Sequence, residues 1–155
     1  MILDKQRIIE GQELKLSNLV SYRGEVLATE LQHKIIEMKQ IIESSGANFR
    51  DLIVTATFNI RVEDNQQKID IEILLPIEES YIELEREYKF KKDFHLVNGL
   101  YVKHEGSPND LQETYSQVDH YLKIKSLDRI TAAYNVHNQK TSTIEVYLGI
   151  NPSIL

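Results

Sequence analysis

At 155 residues, with 41% hydrophobic and 27% charged residues, the chain has the size and composition of one folded domain rather than of a disordered segment. Its 18 Lys and Arg stand against 24 Asp and Glu, and the net charge of −6 repels phosphate backbones, so we expect no nucleic-acid partner. The absence of cysteine excludes disulfides, thiolate nucleophiles and cysteine-based zinc sites. No apolar run approaches the ~20 residues that span a bilayer, so we expect no membrane partner and a cytoplasmic location.

The first half of the chain predicts the element order β-α-β-β. Alternating sequence predicts a strand over 13–23, closed by Gly24, and a helix over 26–45 follows. Apolar residues at steps of three and four form one stripe on that helix: Leu27, Leu31, Ile35, Met38 and Ile42. Two β-branched stretches, 52–62 and 68–77, flank a polar hairpin turn and predict the remaining strands.

The second half predicts the same order again. An acidic linker over 78–87 is compatible with either a short helix or an extended crossover, and its pattern does not choose between them. Strand-like sequence covers 88–104, and Pro108 lies in the first turn of a helix. The buried stripe predicted for this helix is Leu111, Tyr115, Val118 and Leu122. Strands over 129–137 and 141–150 complete the second unit.

The two halves also repeat each other in sequence. The block TATFNI at 55–60 recurs as TAAYNV at 131–136, and IEILLPI at 71–77 recurs as IEVYLGI at 144–150. Two copies are too few for a solenoid, so they are expected to close into one pseudo-symmetric domain over 1–155. Its pseudo-repeats are about 13–78 and 88–151.

Hairpin-connected strands are antiparallel, and helices between them collect on one side of the sheet. The predicted fold class is therefore α+β. It is a duplicated β-α-β-β unit that forms an antiparallel sheet of six to eight strands, with two helices on one face and a central groove.

Two glutamates and three tyrosines are the candidate groove residues. Glu72 and Glu145 occupy equivalent positions in the two copies, so symmetry would bring them near the pseudo-axis as a carboxylate pair. The alternative is that each is the exposed member of an alternating strand and faces solvent. Tyr101, Tyr134 and Tyr147 offer aromatic area with a polar tip, which binding surfaces use, although core packing is the alternative.

The sequence indicates no catalytic residue, metal site or cofactor. The five histidines, at 33, 95, 104, 120 and 137, lack the spacing of metal ligands. His104 stands at a strand end beside Glu105 and would be a general base in an enzyme, but a turn-capping or solvated role is favoured. Neither a Gly-rich phosphate loop nor a G-x-S-x-G motif is present, so we expect no enzymatic activity.

The segment His104-Glu105-Gly106-Ser107-Pro108 resembles the H-x-G-(S/P) turn of gyrase-inhibitor-like (GyrI-like) domains. The block at 144–150 looks like the closing E-(I/V)-x-(I/L)-P-(I/V) strand of that superfamily, with Gly149 in the proline position, and 72–77 matches it more fully. GyrI-like domains are duplicated β-α-β-β units of the SHS2 type, so the resemblance implies that fold over almost the whole chain. More weakly, the block IEILLPIEES and the segment around Phe90 and Phe94 are similar to small Gram-positive proteins associated with LXG toxins of type VII secretion.

One departure from the GyrI-like pattern bears on function. Effector-binding members carry a ligand-facing Glu in an E-x-Y pattern on the penultimate strand, where this chain has Ala132-Ala133-Tyr134. The resemblance therefore implies a groove without the carboxylate that holds a cationic ligand. We predict a non-enzymatic accessory or adaptor protein that binds a protein or peptide, with an LXG-toxin cargo as the partner that the weaker resemblance implies. The alternative is a small-molecule effector-binding protein that uses Glu145, Tyr134 and Tyr147.

Overall fold

The computed structural model describes residues 7–151, and the elements follow the β-α-β-β order twice. They are β1 (Ile8–Leu27), α1 (Leu31–Ser44), β2 (Leu52–Glu63), β3 (Gln66–Pro76), β4 (Tyr88–His104), α2 (Leu111–Lys125), β5 (Asp128–Asn138) and β6 (Thr143–Asn151). A single 3-10 turn precedes each helix, at 28–30 and 108–110. The linker 78–87 contains neither helix nor strand, so the option of a short helix is wrong and the crossover is irregular.

The six strands form one antiparallel sheet in the order β1-β3-β2-β5-β6-β4, and β4 pairs back with β1 to close it into a barrel. The predicted antiparallel sheet and its two helices are confirmed, but closure was not predicted. Closure depends on two long strands, β1 of 20 residues and β4 of 17, which pair from Ile8 with Val102 to Tyr22 with Tyr88. Register shifts beside Gly11, whose φ is 70°, mark a bulge in the part of β1 that pairs with β4 alone.

Each helix buries one stripe against the outside of the closed sheet. On α1 the buried residues are Ile35, Met38 and Ile42, which pack against the apolar side chains of β3. On α2 Val118 and Leu122 pack against β4 and β6. Neither helix of the described residues is long and apolar enough to cross a membrane.

Two details of the predicted helices need correction. The first helix begins at Leu31 rather than at Val26, because Val26 and Leu27 are hydrogen-bonded into β1 opposite β3. On α2, Leu111 and Tyr115 are only half-buried. Both of them pack against the same apolar cluster as Val118 and Leu122, but they also border an open cleft.

Strand alternation gives the closed sheet two chemically different faces, since cross-strand partners share a face and consecutive residues do not. The outer face carries both helices, and one register row on it is Ile73, Thr55, Asn135, Val146 and Val102. The neighbouring row on the inner face is Glu72, Ala56, Tyr134, Tyr147 and Tyr101. Tyr134 and Asn135 are therefore adjacent in the chain but belong to opposite faces.

Candidate functional site

The five predicted groove residues all lie on the inner face. Glu72, Tyr134, Tyr147 and Tyr101 occupy a single register row that crosses from β3 to β4. Glu145 lies two residues before Tyr147 on β6 and so shares its face. The sheet thus brings together the candidates of both repeats, although their role in binding stays a prediction.

Glu72 is buried and paired on the inner face. Its side chain is 8% exposed, Oε1 accepts a 3.0 Å hydrogen bond from the Tyr134 hydroxyl, and Oε2 accepts a 2.7 Å bond from Lys91 Nζ. The option that Glu72 faces solvent is therefore wrong. Burial and the nearby charge of Glu72 raise the pKa of Tyr134 well above its ordinary value, which keeps the phenol protonated as a donor.

Aromatic rings enclose the Tyr134 end of the row. The ring of Tyr134 lies 4.9 Å from that of Phe94 and 6.5 Å from that of Phe58, and Tyr134 itself is 8% exposed. The guanidinium of Arg23 covers Phe58 at 3.6 Å and also pairs with Asp70. This degree of enclosure is that of core packing, the alternative that the sequence left open.

Glu145 forms the corresponding contact in the second repeat. The hydroxyl of Tyr101 donates to its Oε2, and the ring of Tyr101 lies 5.1 Å from that of Tyr147 at an interplanar angle of 56°. Burial and the charge of Glu145 raise the pKa of Tyr101 far above its ordinary value. Each repeat thus uses its equivalent Glu to accept a hydrogen bond from a tyrosine. All three side chains are half-buried, so they remain partly accessible.

A second site, which the sequence did not predict, lies on the outer face. A cavity of about 520 Å³ opens between the first turns of α1 and α2, above the central strands β2 and β5. We call it the interhelical cleft, and its main lining residues are Leu31, Ile35, Ile53, Thr55, Thr57, His104, Leu111, Tyr115, Asn135, His137 and Ile144. Because β2 and β5 come from different repeats, the cleft lies on the seam between the two halves.

The polar groups of the cleft have defined partners. The Tyr115 hydroxyl donates a 2.6 Å hydrogen bond to Oδ1 of Asn135. His104 contacts the Ser107 carbonyl through Nε2 at 2.7 Å and Thr114 Oγ1 through Nδ1 at 2.6 Å, which joins β4 to the start of α2. His104 therefore has the turn-capping role that the sequence favoured. Burial lowers the pKa of His137, so this imidazole is neutral at pH 7.

The cleft is also electrically neutral along its walls. No Asp, Glu, Lys or Arg is among the described residues that line it. Ala132, the position where the GyrI-like resemblance implies a ligand-facing Glu, packs against the inner apolar cluster with Tyr134. A carboxylate at position 132 would therefore lie outside the interhelical cleft.

Asn135 is the residue of this site that the sequence reasoning missed. It lies inside the repeated blocks TATFNI and TAAYNV, where an Asn recurs in an otherwise β-branched and aromatic strand. A polar residue repeated at the same position of two central strands was the available indication. The sequence analysis names its neighbour Tyr134 instead, whose side chain lies on the other face.

Solved structures share this fold. EcmrR, solved in a complex with DNA, matches with a TM-score of 0.72 at 13% identity, over 96% of this chain and 58% of that one. The EcmrR C-terminal domain matches with a TM-score of 0.67 at 13% identity, over 98% and 100%. A hydrolase from Listeria innocua matches with a TM-score of 0.58 at 10% identity, over 95% and 92%. What they share with the chain is the fold.

This chain spans 58% of the length of EcmrR in the DNA complex. No family model matches the chain, and no curated protein matches it. At 10–13% identity the likeness extends to the fold alone, and that fold agrees with the one the GyrI-like resemblance implies.

Proposed function

We propose that the protein is a non-enzymatic binding module that takes a small molecule with a mainly apolar body into the interhelical cleft. The observation that carries the proposal is the cleft itself, because a concave, mainly apolar cavity with a few convergent polar groups is the usual form of a ligand site. Its volume of about 520 Å³ lies within the ~300–1,000 Å³ range of such sites. Sequence reasoning favoured a protein partner, and the cleft changes that preference.

The arrangement of His104 supports a role without catalysis. Both of its ring nitrogens are occupied, one by a carbonyl that can only accept and one by the Thr114 hydroxyl. A general base needs a ring nitrogen within reach of a substrate proton, and this imidazole offers none. The fold that this chain shares with the EcmrR C-terminal domain is compatible with a binding module, but the shared fold identifies neither a ligand nor a reaction.

The test is a fluorescence titration with Nile red, an uncharged dye whose emission shifts in an apolar site. We expect saturable binding with a blue shift for the wild type, and its loss in Thr57→Trp, which fills the cleft from an exposed strand position. Val97→Trp, at an exposed position of β4 that does not line the cleft, is the matched control. Equal binding by both variants would contradict the proposal.

A protein partner is the second candidate, favoured by the free edge of β2. Its pairing with β5 runs only from Leu52 to Ala56 among the described residues, so residues 57–63 have no neighbour on that side. Large apolar side chains are exposed on the two diverging strands: Phe58, Ile60, Val62 and Ile130. An extended segment of a partner can add to such an edge as a further strand.

An adaptor for an LXG-toxin cargo acting in the cytoplasm, as the weaker resemblance implies, stays a prediction. It is tested by measuring binding of a purified LXG toxin to the wild type and to Ile60→Lys/Val62→Lys. Ile124→Lys, an equally exposed apolar position on α2, is the control. The adaptor role requires that the double variant alone loses the complex.

A further inference from the structure

We propose that the interhelical cleft selects ligands that present a hydrogen-bond acceptor oxygen, a carbonyl or a carboxylate, and discriminates against cations, with the Asn135 amide as the group that contacts that oxygen. This inference rests on the proposed binding function and specifies the class of ligand.

Asn135 is a buried side chain with an unused donor. It is 9% exposed and lines the interhelical cleft, and it also borders a neighbouring cavity of about 510 Å³ between β2 and α2. Its Oδ1 accepts from Tyr115, whereas Nδ2 has no hydrogen-bond partner among the described residues. Nδ2 is not one of the fully buried atoms that lack a partner, so it is accessible to molecules beside the sheet. A ligand oxygen that accepts from Nδ2 keeps this donor paired when the ligand displaces solvent, whereas a group without an acceptor leaves it unpaired.

Tyr115 fixes the direction of this donor. Since the Tyr115 hydroxyl occupies Oδ1, the amide is held with its NH₂ group away from α2. The backbone of Asn135 is held as well, because β5 pairs with Thr55 of β2 on one side and Val146 of β6 on the other. A donor held by both its strand and its side-chain partner loses little freedom when it binds a ligand.

The charge distribution around the cleft also favours a ligand oxygen over a cation. The first turns of both helices line it through Leu31 and Leu111, and a helix N-terminus carries a partial positive charge. The acidic N-cap residues Glu30 and Asp110 are exposed and are not among the lining residues. A cation entering the cleft would lose its hydration without meeting a countercharge.

The test is isothermal titration calorimetry at pH 7 with three ligands that share a phenyl ring on a four-carbon chain and differ in the polar group at its end. They are 4-phenylbutyramide, 4-phenylbutyrate and 4-phenylbutylamine. We expect the amide and the acid to bind the wild type at least tenfold more tightly than the amine. The Asn135 side-chain NH₂ resonances in a ¹⁵N-correlated NMR spectrum should shift when the amide ligand binds, a readout that needs no variant.

Asn135→Asp then exchanges the donor for an acceptor. This variant keeps an oxygen for the Tyr115 hydroxyl, replaces the Nδ2 donor with a second oxygen and adds a negative charge, so we expect the order of affinities to reverse, with the amine bound most tightly. Asn65→Asp, at the exposed turn between β2 and β3, introduces the same charge away from the cleft and should leave the order unchanged. Circular dichroism melts confirm that both variants fold.

The outcomes separate this inference from the proposed function. If the wild type binds neither Nile red nor any phenylbutyl ligand, both proposals are overturned. If Nile red binds but neither the amide nor the acid does, the acceptor inference alone fails. It also fails if the amine binds as tightly as the amide, or if the Asn135 resonances do not move.

Discussion

The hydroxyl of Tyr115 on α2 and Oδ1 of Asn135 on β5 are joined by a 2.6 Å hydrogen bond at the floor of the interhelical cleft. Burial raises the pKa of Tyr115, so the phenol stays protonated as the donor. This contact connects a helix of the second repeat to the seam between the repeats. Tyr115 belongs to the stripe of α2 that packs on the sheet, and it is half-buried because it also borders the cleft.

Removing this hydroxyl tests the contact directly. In Tyr115→Phe the buried Oδ1 of Asn135 loses its donor, which should reduce the free energy of unfolding by about 1–3 kcal/mol in urea titrations. Tyr121→Phe is the control, because its hydroxyl contacts Glu10 in an exposed position. Equal losses for the two variants would contradict a special role for the Asn135 contact.

The stability of the protein should fall on acidification through His137. Burial lowers the pKa of this imidazole below 6.5 in the folded state, so below about pH 6.5 the unfolded chain binds a proton more readily than the folded one. The loss should begin near pH 6.5 and level off once the pH is below the folded pKa.

Urea unfolding of wild type and His137→Gln between pH 5 and 8 measures this effect. The variant should show a shallower decline with falling pH, whereas His33→Gln, at an exposed position of α1, should follow the wild type. An unchanged slope in His137→Gln would show that other groups cause the acid dependence.

His104 should stabilise the first turn of α2. It is 5% exposed and bonds both the Ser107 carbonyl and the Thr114 hydroxyl, so His104→Ala removes two hydrogen bonds that join β4 to the start of α2. We expect a loss of about 2–4 kcal/mol, and faster amide hydrogen exchange in the first turn of α2 than in α1. Uniformly faster exchange in both helices would instead indicate a global effect.

Tyr134 and Tyr147 should behave differently although they are cross-strand partners. Tyr134 is buried among Phe94 and Glu72, so Tyr134→Ala should cost about 3–5 kcal/mol, as for other large-to-small changes in a core. Tyr147 is half-buried, so Tyr147→Ala should cost clearly less. Denaturant titrations of both variants decide this. If Tyr134→Ala retained wild-type stability, a groove role for Tyr134 would be favoured again.

The elements were predictable because their patterns are local. The stripe Ile35, Met38 and Ile42 on α1 and the two β-branched hairpins follow periods of 3.6 and 2, which depend only on neighbouring residues. The repeated blocks predicted that the order β-α-β-β occurs twice. The start of α1 was less predictable, since Val26 and Leu27 are ordered by pairing with a strand more than 40 residues away.

What the sequence by itself determined, then, is the α+β class, the duplication and the set of polar residues available to a site. Only the tertiary structure decided that β1 and β4 close the sheet, that Glu72 is buried against Tyr134 and Lys91, and that Asn135 lines the cleft. The reason is that a strand exposes alternate residues to opposite faces, so a shift of one position moves a side chain from one site to the other. Sequence proximity cannot distinguish Tyr134 from Asn135, but the packing of two helices on one face does.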